Sequence, residues 1–142
     1  MHTVADILRT KGSQVWTIQP DQIILDALVL MAEKQIGALL VMDGEKLVGI
    51  VSERDYARKV ALEGRSSRQS KVSEIMCHRV LCARPEQTIH ECMALMSDKR
   101  TRHLPVVDHK RIIGMVSIGD LVKQIIAAQQ FEIELLQHYI TH

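Results

Sequence analysis

A chain of 142 residues with 18 basic and 17 acidic side chains, net charge +1, lacks the broad positive surface that nucleic-acid binding draws on. With 3% aromatics it does not offer stacking platforms for single strands either. Its 46% hydrophobic and 25% charged content is that of a folded globular protein, not a disordered one. No apolar run approaches the ~18 residues of a membrane span. The start, Met1 to Leu8, carries Asp6 early and no long apolar core, so it does not read as a signal peptide and the cytoplasm is the expected location. Cys77, Cys82 and Cys92 are an odd number without a Cys-x-x-Cys, which implies neither a disulfide framework nor a zinc site.

In chain order, the first stretch is Val4-Ala5-Asp6-Ile7-Leu8, and it resembles Val72-Ser73-Glu74-Ile75-Met76, 68 residues on. From Val15 to Val60 every residue lies on its counterpart 65 residues later without a gap. Pro20 falls on Pro85, Gln22 on Gln87, Leu30-Met31 on Leu95-Met96, and Leu39, Val41 and Asp43 on Leu104, Val106 and Asp108. The first copy therefore has three extra residues around Lys11–Gln14. An internal repeat of this length signals two copies of one supersecondary unit.

Each copy reads as a short strand (Val15–Ile18; Val80–Ala83), a Pro-led turn and a helix with apolar positions at 24, 25, 28, 31 and 32, or 89, 92, 93, 95 and 96. Asp21 and Glu86 stand at the helix start, where negative charge is favoured. A strand follows (Ala38–Met42; His103–Val107), then a tight turn, for which Asp43-Gly44 is a strong signal and Asp108-His109 a weaker one. A third strand (Leu47–Val51; Ile112–Val116) leads into a second helix (Glu53–Leu62; Ile118–Ala128). The order is β-α-β-β-α twice, with apolar helix faces covering one side of a small sheet. Residues 65–71 are polar, Ser-rich and basic and read as a linker with solvated charges. Gln129 to Ile140 places Phe131, Leu135 and Tyr139 at i, i+4 and i+8, an amphipathic helix that caps the core or packs on another subunit.

The repeat centres on Gly49-Ile50-Val51-Ser52-Glu53-Arg54-Asp55 and Gly114-Met115-Val116-Ser117-Ile118-Gly119-Asp120. Two readings of this corner stand side by side. In one, Ser-x-x-Asp is a capping box, hydroxyl to the N3 N–H and carboxylate back to the N-cap N–H. In the other, the helix N-terminus offers N–H groups and a positive dipole end to a phosphate. The carboxylate then takes a ribose diol, and the upstream glycine lets a ligand approach the backbone.

Other features are weaker. His103 and the remaining six histidines show no metal-ligand spacing, and no metal is expected. His90-Glu91-Cys92 lacks the Pro-Cys-x-x-Cys partner of a zinc deaminase. No Gly-x-Gly-x-x-Gly or Walker pattern occurs, so a nucleotide would not be held in a Rossmann or P-loop manner. Trp16 can stack on an adenine or wedge between the repeats. No nucleophile–base pair is visible, and no catalysis is expected.

Taken together, the twin corners, the Val-x-Glu-Ile-Met lead-in, the Arg102-His103-Leu104-Pro105-Val106 strand and the β-α-β-β-α order resemble a CBS-domain pair, the Bateman module, of the stand-alone bacterial two-repeat type. The resemblance implies a mixed α+β fold of two tandem repeats (1–64 and 72–128, linker 65–71, C-terminal helix 129–142) packed pseudo-symmetrically through their sheets. It implies clefts that bind an adenine nucleotide (AMP, ADP, ATP or NAD(H)) or S-adenosylmethionine, and modules that pair into a homodimer and act on an effector protein.

Carried over by position, Asp55 and Asp120 match ribose-binding carboxylates, and Ser52 and Ser117 match hydroxyls on ribose or phosphate. Thr17-Ile18 and Cys82-Ala83 match the adenine-pocket positions of the first strand. Gly37-Ala38 and Arg102-His103 match phosphate-facing positions. Glu53, Arg54, Leu104, Pro105, Ile118 and Gly119 complete the candidate ligand-binding set. Arg102-His103 against Gly37-Ala38, and Arg54 against Gly119, make the two clefts unequal, and Arg58 and Lys123 can add charge. The expected function is non-catalytic regulatory sensing of an adenosine nucleotide. The alternatives are a structural dimerisation protein with non-functional sites, and a weak enzyme or redox sensor using Cys or His.

Overall fold

The computed structural model describes residues 2–141. Its elements are α1 (Val4–Lys11), β1 (Thr17–Ile18), α2 (Ile24–Lys34), β2 (Ala38–Asp43), β3 (Lys46–Ser52), α3 (Glu53–Tyr56) running into a π-helical turn (Ala57–Ala61), α4 (Val72–Ile75), α5 (Ile89–Lys99), β4 (His103–Asp108), β5 (Arg111–Ser117) and α6 (Ile118–Thr141). The chain divides into two compact units. One holds residues 15–81, and the other holds the residues up to 14 together with those from 82 onward.

In the unit of residues 15–81 the sheet order is β1-β2-β3. β1 runs parallel to β2 with Ile18 opposite Val41, and β2 runs antiparallel to β3 with Ala38 opposite Ser52. α2 buries Ile24, Ala27 and Met31, spaced three and four residues apart on one helix face. They pack with Ile18, Leu39, Val41, Val51 and Val60, and with Val72, Ile75 and Met76 from the α4 segment. The buried stripe is thus narrower than the expected one, since Leu25 and Leu28 are half-buried and Ala32 is exposed.

In the other unit β4 and β5 form an antiparallel pair with His103 opposite Ser117. The buried face of α5 is Ile89, Cys92 and Met96, the counterparts of 24, 27 and 31. Leu104, Val106, Val116, Leu121, Val4 and Ile7 complete this core.

Each lead-in helix belongs to the unit of the other copy. The opening N–H groups of α4 donate from Val72 to the Gln22 carbonyl (2.8 Å) and from Ser73 to the Pro20 carbonyl (2.9 Å). Those of α1 donate from Val4 to Gln87 and from Ala5 to Pro85, both at 2.9 Å. The Pro-led turn of each copy therefore supplies the acceptors that a helix start lacks internally. This exchange also corrects the reading of Gly49 and Gly114. A Cβ on Gly49 would lie 2.7 Å from Met76 Sδ and 3.0 Å from the Cys77 carbonyl oxygen, and one on Gly114 would lie 2.7 Å from Leu8 Cδ2. The glycines admit the exchanged lead-ins, not a ligand.

The other differences from expectation have local causes. The first strand of the second copy, expected over Val80–Ala83, is a single bridge from Ala83 to Val106. In the first copy the Leu40 N–H donates to the Trp16 carbonyl at 3.3 Å; its counterpart Pro105 has no N–H, and that rung is lost. The helix expected over Glu53–Leu62 turns π after Tyr56, and the Leu62 N–H donates to Ala57, five residues back. The C-terminal helix is present but not separate: α6 runs unbroken for 24 residues. Residues 65–71, read as a linker, are tied down. The Ser70 and Ser67 carbonyls accept from Ile24 and Leu25 at the start of α2, both at 2.9 Å, and Ser70 is buried. The Trp16 ring packs on the core of residues 15–81 and carries Lys34 Nζ 4.3 Å from its centroid.

Candidate functional site

Both corners form the capping box. At the first, Asp55 Oδ2 accepts from the Ser52 N–H (2.9 Å) and hydroxyl (3.0 Å), and the Asp55 N–H donates to Ser52 Oγ at 3.2 Å. At the second, Asp120 Oδ2 accepts from the Ser117 N–H at 2.8 Å, and the Asp120 N–H donates to Ser117 Oγ at 3.2 Å. The next N–H of each helix is also taken, Glu53 by the Gly37 carbonyl (3.0 Å) and Ile118 by the Arg102 carbonyl (2.9 Å). The N–H groups of the cap, first and third helix positions are thus consumed within the protein. This corrects the expectation that they stand ready for a phosphate. The cap and a ribose site remain compatible, because both caps draw on Oδ2 and Oδ1 takes no part in them.

A lysine meets each carboxylate, and the two come from different places in the repeat. Lys11, at the end of α1, lies 2.7 Å from Asp120 Oδ2 and donates to the Met115 carbonyl at 2.8 Å. Lys59 lies 3.5 Å from Asp55 Oδ1 and donates to the Ile75 carbonyl at 2.9 Å. Neither was among the sequence-derived candidates. The available signal for Lys11 was its place in the three-residue insertion, where the copies differ in length. Burial pushes the Asp120 carboxyl up, but the Lys11 ammonium and the Ser117 N–H and hydroxyl outweigh it and hold the group below the usual aspartate value.

Two cavities hold candidate residues. One, of about 370 Å³, is lined by Ile7, Thr10, Lys11, Asp120, Lys123, Gln124 and Ala127. The other, of about 330 Å³, contains Thr17 and Ile18 with Gln22, Asp26 and Glu33 and residues of the outer face of α2. Both volumes fall at the lower end of the small-molecule range. The first is rimmed by two lysines and one aspartate, the second by two carboxylates. Ser52, Glu53, Arg54 and Asp55 line neither cavity, nor do Gly37, Cys82, Arg102, His103, Ser117, Ile118 and Gly119. The side chains of Ala38, Ala83, Leu104 and Pro105 are buried, so at these positions only backbone can meet a ligand.

Cys77 and Cys82 are exposed and Cys92 lies in the core, where burial, with Glu91 adding, pushes its thiol up, away from nucleophilic use. Among the described residues no cluster of three or more His, Cys, Asp or Glu is placed to hold a metal. Among these residues no helix is long and apolar enough to cross a membrane.

The CBS-domain model matches the chain twice, over residues 4–62 and 72–127, and the chain belongs to the CBS-domain family. It is 38% identical over 97% of its length to the mitochondrial CBS domain-containing protein CBSX3 of Arabidopsis thaliana, covering 71% of that protein. Among solved structures, a protein with CBS domains from Burkholderia ambifaria MC40-6 superposes with a TM-score of 0.87 at 53% identity, over 90% of this chain and 96% of that one. The CBS domain pair of protein MJ0100, solved with 5′-methylthioadenosine and S-adenosyl-L-methionine, superposes with a TM-score of 0.76 at 26% identity, over 87% and 99% of the two chains.

Proposed function

We propose that this protein is a regulatory module that binds an adenosine nucleotide, in the cytoplasm and without catalysis, and reports its level to an effector protein. The observation that carries this reading is Asp120. Its carboxylate is fixed by the cap through Oδ2, stands at the mouth of a cavity of about 370 Å³, and is flanked there by Lys11 and Lys123. A ribose hydroxyl would donate to the carboxylate, and a phosphate would sit against the two ammonium groups. Because Lys11 is already held by Asp120 and the Met115 carbonyl, part of its ordering cost is met before ligand arrives.

The ligands of the MJ0100 pair, both adenosine derivatives, support the adenosine class. The lysines favour a phosphorylated member of it, AMP, ADP, ATP or NAD(H). The acidic rim of the cavity at Thr17 and Ile18 repels phosphate, which supports unequal sites in the two copies. A ligand shifts the protein only by as much as it binds one arrangement better than another.

The second reading, a structural homodimer, is favoured by the completeness of both caps, which hold the corners together without a ligand. Isothermal titration calorimetry on ligand-free protein separates the two. Saturable heat with one of the four nucleotides, abolished by Asp120→Asn, supports the regulatory reading. No heat with any of them, or with S-adenosylmethionine, leaves the structural one.

A further inference from the structure

The family repeat ends at residue 127, yet α6 continues to Thr141, and every residue from Gln129 to Thr141 is exposed. Thirteen residues make roughly 20 Å of helix, a length that is marginal in water without packing. Its surface is nonetheless apolar. Ile126, Ile133 and Leu136 are about half to two-thirds exposed, and Ile140 is 83% exposed.

The spacing of these residues is specific. Val122, Ile126, Gln129, Ile133, Leu136 and Ile140 alternate four and three apart, the a/d stripe of a coiled-coil seam. Isoleucine occupies the three a positions, 126, 133 and 140, and leucine the d position at 136. That is the combination that favours two parallel strands. Gln129, at a d position, is the single polar residue in the seam. In the parallel pairing Glu132 faces Gln137 of the second helix, so no like charges meet.

Each seam side chain represents roughly 60–120 Å² of apolar surface at ~25 cal/mol per Å². Five from each copy give on the order of 1,000 Å², the size at which an interface becomes specific.

We propose that α6 pairs in parallel with α6 of a second copy through Ile126, Ile133, Leu136 and Ile140. Phe131 and Leu135, at f and c positions, lie away from the seam and take no part in it, whereas Tyr139, at a g position, flanks it beside Ile140.

The test uses the full chain with the exposed Cys77 and Cys82 changed to Ser. Leu136→Cys should give a disulfide-linked dimer under mild oxidation, and Leu135→Cys, one residue away on the other stripe, should remain unlinked. In the parent chain, Ile133→Glu should lower the mass in solution, read by light scattering, while Leu135→Glu leaves it unchanged. None of these positions is buried, so folding is not at stake. A Leu136→Cys chain that stays unlinked, a Leu135→Cys chain that links as fast, or an Ile133→Glu mass equal to that of the parent overturns the proposal.

Discussion

Lys11 Nζ lies 2.7 Å from Oδ2 of Asp120 and 2.8 Å from the Met115 carbonyl oxygen, which ties the exchanged lead-in helix to the corner that opens α6. The Asp120 side chain is 17% exposed, so removing the lysine strands a largely buried carboxylate. Lys11→Met should cost roughly 1 kcal/mol in urea unfolding. Lys59→Met should cost less, because its carboxylate contact is longer, 3.5 Å, and its side chain more exposed. A larger loss for Lys59→Met would mean that the two corners are not held as described.

The same ion pair sets a pH dependence. The folded-state pKa of Asp120 is depressed, so its contribution is complete above the unfolded aspartate value of ~3.9 and is lost as pH falls through the folded value. Melting temperatures of the parent and Lys11→Met should differ at pH 6, and the gap should narrow as the pH falls below about 4 and through the folded value. A gap that does not narrow in acid would place the stabilisation elsewhere.

Gly49 and Gly114 yield a prediction with a graded outcome. Alanine at either must displace an exchanged lead-in side chain, at a cost of about 1–3 kcal/mol. At Gly49 the new Cβ also meets the Cys77 backbone carbonyl at 3.0 Å, whereas at Gly114 it meets only the flexible Leu8 side chain. Gly49→Ala should therefore lower the melting temperature more than Gly114→Ala. Equal, negligible effects would show that the lead-ins do not pack where they are described.

His109 and Lys110 both take left-handed backbone angles, φ 49 and φ 65, in the two-residue turn between β4 and β5. This is type I′ geometry, which Asn-Gly adopts most readily and which costs other residues roughly 1 kcal/mol each. The double change His109→Asn, Lys110→Gly should raise stability by roughly 0.5–1 kcal/mol, after the entropy that glycine adds to the unfolded chain. Thermal unfolding reads this directly, and a lowered melting point would contradict it.

Most of the fold was legible because hydrophobic period and turn chemistry are local. β2, β3, β4 and β5 lie within a residue of their expected bounds, α2 and α5 span the apolar positions from which helices were read, and the 65-residue register survives in the paired cores 24, 27, 31 and 89, 92, 96. The lead-in exchange was not legible, since a repeat shows that Val4–Leu8 and Val72–Met76 are equivalent but not which copy each packs with. The lost strand at Val80–Ala83 was in principle readable from Pro105, which replaces Leu40 and cannot donate. At the site, the Ser-x-x-Asp pairs were found and Lys11 was not. Its partner lies 109 residues away, and the three-residue insertion marked the segment without pointing to that partner. The continuity of α6 was missed because the expected boundary followed the end of the second repeat at Ala128, although no glycine or proline interrupts the helix between Asp120 and Thr141.

The most direct test of nucleotide binding is a thermal-shift comparison of ligand-free parent, Asp120→Asn and Lys123→Met proteins with AMP, ADP, ATP and NAD(H). Asparagine keeps a carbonyl oxygen for the cap while removing the charge, so fold and binding separate. The account predicts that one nucleotide raises the melting temperature of the parent, as ligand binding to the native state must, and that both variants lose the shift. An equal shift in parent and Asp120→Asn, or none in the parent with any nucleotide, would contradict it.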